Sequence, residues 1–419
     1  MTEISMNTAV LFAQMESVYN TSPGAMSATD AVLIKNLTAV PLTGTRVERE
    51  LVRPYFGANP GKLAAQHGTM QFTAEAAGAG VTALDAGTAP AFGKLLRMAG
   101  LDETLRAAAA TIAASPPTEV DTPDGSFTYV AADPYTGTVA RLVTLTCTTG
   151  GGSGVAAFTV AAPAVAHIAA YNATGVVMTD ATPFALPGSA TITPTVGDAF
   201  TIGDEFTIQL RAPAAIYTPL STGFESGETF FQYGPNKHPL LGVRGNVTLN
   251  AAADAYFDMQ FDMMGLPGTF TGNEALPTVD FSAFQDPLLL SNDDSPYVAL
   301  GGFECNLRSF NVNVGQNTAI RSLVGSKKAR IGGRSASGSI VLEAPDLDTK
   351  DYFASLASGA YNTFELIHGT ARGATVHLTA RLQLTGVRYQ DEDGVAMLAA
   401  DIVAVPSDAG NDELTLAIR

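Results

Sequence analysis

Residues 254–265 read DAYFDMQFDMMG, and the alternation in this stretch decides the fold class. In an extended chain successive side chains point to opposite faces. Phe257, Met259, Phe261 and Met263 therefore share one face, while Tyr256, Asp258, Gln260 and Asp262 share the other. Such period-two alternation specifies a strand with one buried and one wet face. A wet acidic face suits an ordinary exterior, a cleft or the inner wall of something hollow, and the rest of the chain has to choose.

Of the 419 residues, 46% are hydrophobic, enough for two or three domains with real cores. Acids outnumber bases 40 to 23, for a net charge of -17. That surface repels polyphosphates and argues against a protein that grips a nucleic acid backbone. Residues 1–19 lack a basic start followed by an apolar run and cleavage site, and no run of about 18 apolar residues occurs. Synthesis in the cytoplasm without membrane binding is the expectation. Cys147 and Cys305 stand far apart and read as buried or half-buried thiols in strands.

Two parts of the chain look alike. VERELV (47–52) and GTMQFTAEA (68–76) match TAIRSLV (318–324) and GSIVLEA (338–344). A helical pattern follows each: TAPAFGKLLRMAGL (88–101) opens on Thr and Pro, and DLDTKDYFASLASG (346–359) opens on Asp and stops at Gly. ETFFQYG (228–234) then matches NTFELIHG (362–369), and two longer strands follow each. An internal duplication is the simplest account. Within the first copy, between its helix and Tyr217, lies a Gly, Thr and Pro-rich segment with strand-like runs ARLVTLTC, GVAAFTVAA, SATITPTV and DEFTIQL, which reads as an inserted β-sandwich. Residues 1–46 and 266–302 lack clear periodicity and are expected to be arms across neighbouring subunits.

VERELVRPYFGANPGKL, FTAEAAGAG, APAFGKLLRMAGL, YTPLS, LPTVDFSAFQDP, IRSLVGS, SGSIVLEAP, ELIHGTARG, YQDEDGVAML and GNDELTL occur in an order that resembles the major tail tube proteins of bacteriophages with long non-contractile tails. The resemblance spans the chain except the insertion. It implies a mainly β fold of two tandem tail-tube-type domains, each of antiparallel sheets flanked by a helix. The expected division is 1–115 with 216–265 for the first domain, 116–215 for an external immunoglobulin-like sandwich, 266–302 for a linker arm and 303–419 for the second domain. It further implies sheets that join between subunits into a β-barrel, rings that stack into a virion tail tube, and a lumen that passes double-stranded DNA without binding it. With two such domains per chain, a ring needs three chains and has approximate sixfold symmetry. Other tail proteins (tape measure, tail terminator and distal tail proteins) are the implied partners. Alternatives are another ring-forming tail component, such as a distal tail protein, or a secreted carbohydrate-binding β-protein; the latter class stacks sugars on exposed aromatics, and the chain has no Trp.

If a helix covers the outer face of each sheet, the lumen-lining candidates follow by alternation. They are Gln71, Thr73, Glu75, Asn246, Thr248, Asn250, Asp258, Gln260 and Asp262 in the first half, with Ser339, Glu343, Arg381 and Gln383 in the second. A mildly negative, hydrated wall keeps phosphates from sticking. The basic loop SKKARIGGR supplies Lys327, Lys328, Arg330 and Arg334 as candidates for contact with acids of the next ring, such as Asp391 to Asp393. Asp391-Glu-Asp-Gly suits a hairpin turn better than a calcium loop. GGGSG at Gly150 reads as a turn rather than a phosphate loop. The five histidines have no metal-binding spacing, and no nucleophile elbow is present. No catalytic residue, cofactor or metal is expected, and the expected role is structural rather than enzymatic.

Overall fold

The computed structural model describes residues 8–80, 87–115, 125–197 and 199–419. The chain is mainly β, arranged in several antiparallel sheets. The first half contains β1 (Ala9–Met15), β2 (Ala31–Val32), β3 (Lys35–Glu48), β4 (Gly61–Glu75), α1 (Gly93–Met98) and β5 (Leu101–Arg106). The insertion follows as β6 (Ala109–Ser115), β7 (Gly125–Val130), β8 (Arg141–Thr149), β9 (Ala157–Ala162), β10 (Tyr171–Val177), β11 (Phe184–Ala185), β12 (Thr191–Val196) and β13 (Glu205–Arg211). The first half then resumes with β14 (Ala214–Pro219), β15 (Gly227–Tyr233), β16 (Asn236–Ala252) and β17 (Asp258–Pro267). The second half contains β18 (Tyr297–Leu300), β19 (Phe303–Glu304), β20 (Leu307–Asn313), β21 (Gln316–Leu323), β22 (Ser326–Arg334), β23 (Ser337–Glu343) and α2 (Tyr352–Ser358). It ends with β24 (Tyr361–His368), β25 (Val376–Glu392), β26 (Val395–Ala404) and β27 (Leu414–Ile418).

Strand pairing repeats. In the first half neighbours run β2, β1, β15, β16, β17, β4, β3. In the second they run β19, β18, β24, β25, β26, β23, β20. The halves are joined where the end of β16 pairs with β20, and where β27 bridges β25 and β14. One apolar core runs beneath both halves and includes Phe72, Val247, Met259, Phe261, Phe310, Val312, Ile340 and Ile402. The turn after β25 is set by local chemistry: Asp393 (φ 51) and Gly394 (φ 84) both adopt positive φ, as a two-residue hairpin requires.

The insertion buries a second core. A five-stranded sheet (β10, β9, β8, β13, β6) and a three-stranded sheet (β11, β12, β7) share Phe127, Phe158, Phe200 and Phe206, whose rings meet largely edge to face. Strand β6 pairs with β13 and so belongs to this sheet, although it precedes residue 116; residues 116–124 lie outside the described residues. The antiparallel ribbon β5–β14 forms the stem of the insertion, with Arg106 opposite Ala214.

Several expectations need correction. Of the segment 1–46, residues 8–46 carry strands β1, β2 and most of β3 and are integral to the sheets rather than an arm, while residues 1–7 lie outside the described residues. VERELV is strand only as far as Glu48; beyond it Val52 and Phe56 are fully exposed. The second segment folds onto its own chain at some of its apolar side chains, whereas Phe270, Leu276 and Leu289 stay exposed. Phe284 packs on the main core, Phe281 joins Phe12 and Phe230, and Leu290 is buried. The Gln232 amide donates to the Ala275 carbonyl at 3.1 Å. The helices are shorter than their patterns: α1 begins at Gly93, after a turn in which the Gly93 N–H donates to the Pro90 carbonyl. In α2 the N-cap is Asp351, whose carboxylate accepts from the Ala354 N–H at 2.8 Å, and Gly359 ends the helix at φ 66.

Burial lowers the pKa of His167, His238, His368 and His377 from 6.5. His368 is 2% exposed, with Ser295 Oγ and the Leu288 carbonyl against its two ring nitrogens. His377 lies 2.8 Å from a Glu365 oxygen. Unfolding frees these imidazoles to bind protons below pH 6.5, so the unfolded state binds more protons than the folded one and stability falls as pH drops. For the two most buried, the expected loss is up to about 1.4 kcal/mol per pH unit each. Melting temperatures between pH 7.5 and 5.5 should decline, and replacing His368 with Gln should flatten the slope; a pH-independent melting temperature would contradict this.

Candidate functional site: a polar sheet face and two open edges

The opening alternation holds in three dimensions. Phe257, Met259, Phe261 and Met263 are buried, and Asp258, Gln260 and Asp262 lie on the opposite face. Cross-strand register carries that face across the sheet, since directly paired residues project the same way. One row runs Glu75, Asp258, Asn250, Asn311, Ser339, Asp401, Gly386. The next runs Lys35, Thr73, Gln260, Thr248, Asn313, Ser337, Val403, Gln383. A third holds Thr38, Gln71, Asp262 and Asn246.

The rows thus bring together Gln71, Thr73, Glu75, Asn246, Thr248, Asn250, Asp258, Gln260, Asp262, Ser339 and Gln383. Glu343 lies at the end of the same face, opposite Met397, and accepts from the Asn306 amide at 2.6 Å. Arg381, two residues before Gln383 on β25, projects to the same side beyond the end of that row, where it stacks 3.8 Å over the Tyr361 ring and donates to the Pro406 carbonyl at 2.6 Å. Gln383 ends its row with its amide donating to the Gly359 carbonyl at 3.0 Å. Sequence reasoning missed Asn311, Asn313, Ser337, Asp401 and Lys35. The alternation FNVNV (310–314) was the available signal for the first two.

The face is polar and keeps a negative excess, with its acids held by partners on the face. Lys35 Nζ lies 2.7 Å from Asp258 and 3.1 Å from Glu75, so one positive charge is shared by two acids of one row. Partial burial works against its charge, yet the hydrogen bonds it donates to Asp258 and Glu75 leave its pKa raised. Gln71 donates to Asp262 at 2.5 Å, Asn246 to Asn313 at 2.8 Å, and Asn311 to Asn250. Arg388 Nη1 lies 3.1 Å from Asp401. Amides and ion pairs that satisfy one another present a hydrated surface without a cluster of free cations for phosphates.

The sheet does not close into a barrel within one chain. Among the described residues β4 is the sole strand partner of β3, and residues 386–392 of β25 pair with β26 on one side alone. Pairing equivalence relates these two edges. Gln71–Asp262–Asn246 in the first half corresponds to Ser339–Asp401–Gly386 in the second. The joint Asn250–Asn311 between halves then corresponds to Gln390 on one open edge and Thr38 on the other.

Of the basic loop residues, Arg334 is not available for an outside contact. It is buried against Glu413 at 2.5 Å and donates to the Leu220 carbonyl and Asn411. Lys327 Nζ is bonded to the Gln66 carbonyl at 3.0 Å. Lys328 and Arg330 are exposed, as is Arg321, which the sequence reading did not single out. Both cysteines are free and buried, and burial pushes the Cys305 thiol up to about 11. Among the described residues no group of three or more His, Cys, Asp or Glu could hold a metal ion. No family model matches this chain, and no curated protein matches it.

Proposed function

We propose that this chain is a structural ring subunit of the bacteriophage tail tube type, three copies closing into a barrel whose polar face lines a channel for double-stranded DNA. The observation that carries the reading is the joint between β16 and β20, together with the two open edges that repeat its two sides. Exposed strand edges invite pairing, and closure across subunits removes them. Each chain would contribute β3, β4, β17, the end of β16, β20, β23, β26 and the end of β25. The wall of amides and paired charges suits passage of a polyanion without retention. Rings stacked into a virion tail, with other tail proteins at the ends, complete the proposal. The sandwich, set off on its β5–β14 stem, decorates the exterior.

Cysteine cross-linking tests ring closure. Thr38→Cys combined with Gln390→Cys should yield covalent trimers on oxidation, seen as closed rings by negative-stain microscopy, because the joint register places these positions opposite each other on adjacent copies. The native thiols are buried and stay silent. Each single substitution should give no trimer. A protein that remains monomeric by light scattering at high concentration, with no cross-link from the pair, would overturn the reading.

A further inference from the structure

The hairpin β21–β22 contains Arg321, Lys327, Lys328, Arg330 and Arg334 without a single acidic residue, in a chain of net charge -17. Between this hairpin and residues 220–224 lies an open cleft of about 590 Å³, on which Arg321, Lys328 and Arg330 converge beside the half-buried Arg244 and Arg334. The two half-buried arginines are committed: Arg244 to the Phe224, Glu225 and Ala329 carbonyls, and Arg334 to Glu413. The other three have neither an ion pair nor a hydrogen bond among the described residues, so the cleft carries uncompensated positive charge.

The hairpin is a two-stranded sheet of its own, and the far end of the main sheet that its chain continues into carries the opposite charge. From the hairpin, β22 and β23 run down to Glu343, which pairs with Met397, and the β25–β26 turn projects beyond it. From Arg330 to Glu343 the strands span on the order of 40 Å at about 3.3 Å per residue. Asp391 and Asp393 in that turn are exposed and have no ion pair among the described residues, while Glu392 is held by Arg308 at 2.7 Å. Apolar surface follows the same polarity. Val52, Phe56 and Val324 at the hairpin end are fully exposed, with relative exposures of 103%, 107% and 108%. Side chains this bare are unfavourable in water, and burial against a partner removes the cost.

We infer that the basic cleft is a docking site for the acidic Asp391–Asp393 turn of a second copy of this chain, so that copies associate head to tail with one polarity. Here the occupant is set by charge: the free cations of one end meet the free carboxylates of the other, and the exposed apolar hairpin tips are covered in the same contact. The inference rests on the ring reading, since a ring presents all its clefts on one rim and all its acidic turns on the other. Added salt screens such contacts and shortens the stacks.

The test uses the full chain. Lys328→Glu with Arg330→Glu should leave folding and ring mass unchanged, because both residues are exposed, while abolishing stacking in negative stain. Adding Asp391→Lys and Asp393→Lys should restore it. Rings of the charge-reversed protein that stack as the original does at every salt concentration would overturn the inference and leave ring closure standing. So would absence of rescue by the reciprocal change. An original protein that forms no ring at all would overturn both.

Discussion

Replacing Phe310 with alanine is expected to cost about 3–5 kcal/mol of stability, the usual range for a buried phenylalanine whose cavity cannot collapse. Phe310 is 1% exposed and stacks on Phe364 with ring centroids 4.1 Å apart. Its strand β20 pairs with β16 on one side and β23 on the other, placing Phe310 opposite Ala251 and Ile340. The substitution therefore loosens the joint between the halves and not merely one sheet. Against a typical domain stability of about 5–15 kcal/mol this is a large fraction. Chemical denaturation should show a lower midpoint for Phe310→Ala, whereas Asn311→Ala, one residue along on the polar face, should lose much less. Equal midpoints for the two variants would refute the assignment of faces at this joint.

Arg334→Met is the second large effect. Glu413, 4% exposed at its side chain, has one oxygen 2.5 Å from Arg334 Nε, and its other oxygen has no hydrogen-bond partner among the described residues. Removing the guanidinium leaves a buried carboxylate uncompensated, at an expected cost of about 3–5 kcal/mol. It also frees the Leu220 carbonyl and Asn411, which the same guanidinium holds. Combining Arg334→Met with Glu413→Leu should recover most of the loss, because replacing both charges with apolar groups of similar size is often neutral. A double variant as unstable as the single one would show that the cost is packing rather than charge. The pair fastens the base of the basic hairpin to the C-terminal segment, so the single variant also disturbs the cleft.

Legibility followed the range of the physical information. Where one face is buried and the other wet, as in residues 68–76 and 258–264, alternation was sufficient to place each side chain, and nearly all the proposed wall residues fell on one face. Strands β1 and β3 were missed because both lie in a segment whose apolar residues are interrupted: β3 alternates but is half exposed on both faces as an edge strand. Arg334 was misplaced because its partner is 79 residues away along the chain. A cluster of basic residues looks solvated until the fold shows which of them is covered. β25 also changes partners along its length, with a register shift between Leu384 and Gly386, and no local pattern marks that change.

Local composition by itself determined the β class, the inserted sandwich, the turn at Asp393-Gly394 and the duplicated order of elements, since each depends on side chains within a few residues of one another. Tertiary structure alone decided that Phe281, Phe284 and Leu290 of residues 266–302 pack against their own chain, that Lys35 bridges Asp258 and Glu75, and that two strand edges of matching register stay open among the described residues. Those outcomes depend on which distant segments meet, and the free energy of such contacts is set by burial and pairing that no short window of residues contains.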